Sequence, residues 1–130
     1  MALMKFREEN HVKWMGVRPG HDGAQVLERA SANNGVTILY TVPAGSTFYL
    51  CHAWLDVDAV AAGSVNLSIY NDVPAIWRLL YVSSVPITTN RLIGEGSFFP
   101  PIELPAAYSI RVESTVLNCI ARSFIYGWVE

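Results

Sequence analysis

From residue 24 onward the sequence is punctuated at short intervals. Brief segments rich in β-branched and aromatic residues alternate with turn-forming clusters. Residues 36–42 read VTILYTV, between Asn33-Asn34-Gly35 and Pro43-Ala44-Gly45-Ser46. Asn-Gly tolerates positive φ at little cost, so it predicts a hairpin joining strands 24–31 and 36–42. Further strands are expected at 47–57, 64–70, 76–83, 108–113 and 116–129. Residues 64–70 (SVNLSIY) show the period of two cleanly: Val65, Leu67 and Ile69 alternate with Ser64, Asn66 and Ser68. That is the pattern of a strand buried on one face. Residues 84–96 read as a polar connection. Residues 97–104 contain Pro100-Pro101, which cannot donate to a ladder and demote the segment to an edge strand. No helical stripe of period 3.6 runs through this region. About eight strands with short turns predict an all-β protein, an antiparallel sandwich or jelly roll, and not a parallel α/β sheet.

A chain of 130 residues suits one such domain. Residues 1–23 differ from the rest. They are polar, hold two of the three histidines, and end in the turn-rich Arg18-Pro19-Gly20 region. They read as an extended N-terminal arm ahead of a sandwich at 24–130. Trp14 and Met15 are costly to expose, so with Arg18 they form a candidate docking arm.

Composition excludes several function classes. Charged residues make up 15% against a usual ~25%, and apolar residues 52%. Net charge is −2, with no basic stripe, so nucleic acid is not an expected partner. No apolar run approaches the ~20 residues of a membrane helix. The first residues lack the apolar core of an export signal, which predicts a protein cytoplasmic when synthesised. Cys51 and Cys119 form no C-x-x-C pair and read as small, reduced hydrophobes.

Catalytic signatures are absent. There is no G-x-S-x-G elbow and no P-loop. Gly94-Glu95-Gly96-Ser97-Phe98-Phe99 only begins like a dinucleotide fingerprint and reads as a loop. His11, His21 and His52 are dispersed. Asp56 shares a strand face with His52 but lies roughly 13 Å along it, too far to chelate one ion. No metal and no cofactor are expected.

Two segments carry too much apolar surface for a strand buried on one side. In 47–57, Tyr49, Cys51, Ala53, Leu55 and Val57 alternate with Phe48, Leu50, His52, Trp54 and Asp56. In 116–129, a small-residue face opposes Ile120, Arg122, Phe124, Tyr126 and Trp128. The length of the first segment also admits a bulge. The larger aromatic faces need a second cover. Phe48, Trp54, Arg122, Phe124, Tyr126 and Trp128 are therefore the candidate interface or ligand platform, because aromatics and arginine dominate binding hot spots.

The run Thr41-Val42-Pro43-Ala44-Gly45-Ser46-Thr47-Phe48-Tyr49-Leu50 resembles an opening found in small phage tail, fibre and head-decoration proteins. There a V-P-A-G turn feeds a long strand, and a short alternating strand follows an Ala/Gly loop. Here these are residues 59–63 and 64–70, and residues 108–130 resemble the closing hairpin. The resemblance covers residues 36–130. It implies a non-enzymatic virion component that assembles as a homotrimer or larger ring, with other virion proteins as partners. A carbohydrate- or receptor-binding module, with a surface glycan as partner, is the alternative. A cupin-like enzyme is a second alternative, disfavoured by the dispersed histidines.

Overall fold

A computed structural model describes residues 24–72 and 75–130. Eight strands follow one another: β1 (Ala24–Asn33), β2 (Gly35–Thr41), β3 (Phe48–Ala59), β4 (Gly63–Asp72), β5 (Ala75–Val85), β6 (Thr89–Leu104), β7 (Ser109–Ser114) and β8 (Cys119–Val129). They form two antiparallel four-stranded sheets, ordered β1-β8-β3-β6 (sheet A) and β2-β7-β4-β5 (sheet B). β1 pairs with β8, β2 with β7, β3 with β6 and β4 with β5. The first four strands thus lie against the last four as one long hairpin, rolled so that successive pairs fall in alternate sheets. This is the strand order of a jelly roll, so the expected all-β sandwich is the fold. No helix among the described residues is long and apolar enough to cross a membrane. The arm at 1–23, with Trp14, Met15 and Arg18, lies outside the described residues.

The core fills the space between the inner faces. Phe48, Leu50, Leu55, Leu67, Ile110 and Ile125 are fully buried there. Each such side chain contributes about 1.5–3 kcal/mol relative to exposure. Val65, Leu67 and Ile69 of β4 point into this core, as their alternation requires.

Three local expectations are corrected. The Asn33-Asn34-Gly35 turn does not make a hairpin. Asn34 has φ 58°, but the chain leaves sheet A for sheet B at this corner, and Thr37 Oγ1 donates to Ser31 O across it at 2.8 Å. The β7–β8 connection changes sheet in the same way, so those strands are no closing hairpin. A turn propensity specifies a reversal of direction, whereas the ladder partner is chosen by distant strands. Finally, Gly94 and Gly96 belong to β6 and not to a loop. A Cβ at Gly94 would lie 2.7 Å from Cγ of Tyr81, and one at Gly96 would lie 2.8 Å from the Tyr81 hydroxyl. The two glycines make room for the Tyr81 side chain of β5.

The prolines sit where expected, on an edge. β6 is the outer strand of sheet A. Between the pairs Leu50↔Ile102 and His52↔Ser97 the ladder is interrupted, and Phe98 to Pro101 are accommodated there with a cis Phe99–Pro100 bond.

Candidate functional site

The aromatic excess of β3 is partly resolved by a bulge. The register of β3 against both neighbours shifts between Leu50 and His52. Before the shift Phe48 and Leu50 face the core; after it Ala53, Leu55 and Val57 do. Cys51 sits at the shift, buried, and its Sγ donates to Tyr49 O at 3.6 Å. Phe48 is therefore a core residue with no exposed surface, a correction to its place on the candidate platform. One inserted residue reverses side-chain parity, which simple alternation does not anticipate.

The other platform residues do share the outward side of sheet A. β8 is central, and its outward residues meet outward residues of both neighbours. Phe124 lies opposite Arg29 of β1 and Trp54 of β3. Arg122 lies opposite Ser31 and Asp56, Tyr126 opposite Leu27 and His52, and Trp128 opposite Gln25 and Tyr49. Trp128 stacks on Tyr49 with ring centres 5.1 Å apart and is fully buried, so it is not a contact surface. Tyr126 is half-buried and accepts a hydrogen bond from Gln25 Nε2 at 3.4 Å. Its hydroxyl pKa is raised by burial first and by the neighbouring Cys51 second.

Trp54 and Phe124 form an aromatic pair, centres 5.6 Å apart and tilted by 50°. Beside them Arg122 Nε donates to Asp56 Oδ1 at 2.7 Å. That hydrogen bond is the main reason the Arg122 pKa is raised, against a smaller desolvation penalty, with the charges of Asp56 and Asp58 adding. Both partners are partly solvated, so the pair contributes at most about 1 kcal/mol to stability. Its consequence is geometric: it sets a guanidinium and a carboxylate side by side. Together with Arg29 and Ser31 these side chains line an open groove of ≈ 580 Å³.

A polar cluster that alternation could not reveal adjoins the groove. His52 Nδ1 lies 3.1 Å from Ser97 Oγ, and His52 Nε2 lies 3.6 Å from Glu95 Oε1. The order resembles a nucleophile, base and acid. Hydrolytic triads use an acid that is buried and holds the imidazole. Here the Glu95 side chain is half exposed, and the cluster reads as a surface hydrogen-bond network. The three residues come from two strands joined only by the β3–β6 ladder, so sequence spacing carried no signal for them. Among the described residues, no group of three His, Cys, Asp or Glu side chains converges as a metal site would require.

The outward side of sheet B carries apolar residues on its two edge strands. Val36, Ile38, Trp77, Leu79 and Val82 are all exposed on it. They surround polar groups that are already paired. Asn66 Nδ2 donates to Glu113 Oε1 at 2.8 Å, and the Arg111 guanidinium lies 3.6 Å from the Tyr70 ring centre. The Tyr70 hydroxyl donates to Asp72, the main cause of its raised pKa. Asn66 and Ser68 are buried despite facing outward.

No family model and no curated protein matches the chain. Among solved structures, the crystal structure of PirA is similar, with 10% sequence identity over 84% of this chain and 99% of that one. The TM-score is 0.39, a distance at which the likeness carries no argument.

Proposed function

We propose that this chain is a non-enzymatic assembly protein of the virion or tail type, which self-associates through the outward face of sheet B. The observation that carries this reading is the exposure of apolar side chains along both edges of the face, Val36 and Ile38 on β2 and Trp77, Leu79 and Val82 on β5. Exposed apolar side chains grouped on an edge strand in this way mark interaction surfaces. The polar groups among them are satisfied internally by Asn66–Glu113 and by Tyr70 with Asp72 and Arg111. Part of the polar demand of the face is thus met internally, which lowers the cost of covering it. A closed homo-oligomer, a trimer or larger ring, satisfies such a face in every copy.

Mass in solution tests this. Light scattering on the full chain should give a multiple of the monomer mass at micromolar concentration. The double substitution Ile38→Glu with Leu79→Glu should lower that mass while the far-ultraviolet spectrum stays that of a β protein. A monomeric wild type, or an unchanged mass in the double variant, refutes the proposal.

A further inference from the structure

We propose that the groove on the opposite sheet, over Trp54 and Phe124, is a subsite for a saccharide carrying a single carboxylate. The proposal stands on the groove's chemistry and not on assembly through sheet B.

The Trp54–Phe124 pair supplies apolar ring surface at the solvent boundary; Trp54 is 38% exposed. Aromatic surface of this kind takes the C–H face of a sugar ring, which is apolar although the ring's rim is polar. Arg122 and Asp56 bring rim chemistry. Each uses part of its hydrogen-bonding capacity on the other, at 2.7 Å. A guanidinium has five N–H donors and a carboxylate accepts at two oxygens, so donors and acceptors remain for neighbouring hydroxyls. Each member biases the other toward this geometry. The Ser31 hydroxyl adds a third polar group on the same wall. A cavity of ≈ 580 Å³ lies within the range of small-molecule sites, about 300–1,000 Å³.

Charge selects among saccharides. Arg29 sits directly across the ladder from Phe124, and no described acidic group lies within ion-pair distance of it. Within the lining, two guanidinium groups stand against the one carboxylate of Asp56, a local excess of one positive charge, while Asp58 acts on Arg122 from beyond the groove. A ligand with one negative charge neutralises that excess; a neutral sugar leaves Arg29 unsatisfied. The planar guanidinium fork also matches a carboxylate in two-point geometry.

Calorimetric titration of the full chain with methyl β-glucuronide, methyl β-glucoside, a sulfated glucoside and acetate tests the assignment. The glucuronide should bind most tightly, in the millimolar range of a single-ring ligand. Arg29→Gln should weaken the glucuronide about tenfold, the loss of one charge-assisted contact, and leave the glucoside unchanged. Trp54→Ala should weaken both glycosides. Both side chains are exposed, so an unchanged unfolding midpoint is expected and shows that the variants fold. Equal binding of acetate would mean an anion site only, and equal binding of the sulfated sugar would remove the carboxylate specificity. Either result, no detectable glucuronide binding, or insensitivity to Arg29→Gln overturns the proposal. None of them bears on the oligomer mass, so failure here is distinguishable from failure of the assembly reading.

Discussion

Gly127 shows how tightly single positions are constrained. It lies on the core side of β8 opposite Leu50. A Cβ there would overlap the Tyr49 carbonyl oxygen and lie 2.8 Å from the Phe48 ring. Backbone cannot yield as a flexible side chain can, so Gly127→Ala should lower stability by about 2 kcal/mol or more in urea denaturation. Gly35 meets nothing within 4 Å, and Gly35→Ala should stay within about 0.5 kcal/mol in the same assay. Cys51 offers a second residue-level test. Burial pushes its thiol from the ordinary 9.0 up to about 12. Thiolate is the reactive form, so Cys51 should resist alkylation in the native state and react on unfolding. In the unfolded chain this thiol loses its proton nearer 9.0, while the folded protein retains it. Its contribution is therefore intact below 9.0 and lost as pH rises towards about 12. Cys51→Ala should flatten that part of the alkaline stability profile, measured by denaturant midpoints.

Among the elements, the corners decide more than the turns suggest. Asn118, between β7 and β8, has φ 63°, and its N–H donates to Asn33 Oδ1 at 2.8 Å. Its carbonyl accepts from the Val60 N–H at 2.9 Å. One left-handed residue thus ties together the β1–β2, β3–β4 and β7–β8 connections. A β-branched residue is strained at positive φ, so Asn118→Val should cost about 1–2 kcal/mol, while Asn118→Gly should be nearly neutral by thermal denaturation. β6 illustrates the limit of local signals. Its polar first half, 89–96, looks like a connection because glycine and charge lower its strand propensity. It is held as a strand by pairing with β3 and by the Tyr81 side chain that its glycines admit.

At the scale of the whole molecule, the rolled topology leaves neither sheet independent. β1 and β2 are consecutive but lie in different sheets, as do β7 and β8. Separating the sheets would open the core that holds Phe48, Leu50 and Leu67. Urea unfolding followed by far-ultraviolet dichroism and by tryptophan emission should therefore give coincident transitions. Trp128, buried, and Trp54 and Trp77, exposed, place the emission probes in both environments. A separate early transition in either signal would show that one sheet melts alone. Pairing β1 with β8 closes nearly the whole described chain, so refolding should be slow for a domain of this size.

The amino-acid order alone determined the all-β class, the approximate strand positions and the outward company of Arg122, Phe124 and Tyr126, because a period of two depends only on neighbouring residues. It also placed the prolines on an edge, since a missing N–H is local chemistry. The tertiary structure alone decided that Phe48 turns inward at a bulge, that Asn34 bends the chain between sheets, and that Arg29, Trp54 and Asp56 meet around Phe124 and Arg122. Those outcomes depend on which distant strand supplies each ladder partner. That choice is made by burial across the whole core, and no short window of residues contains it.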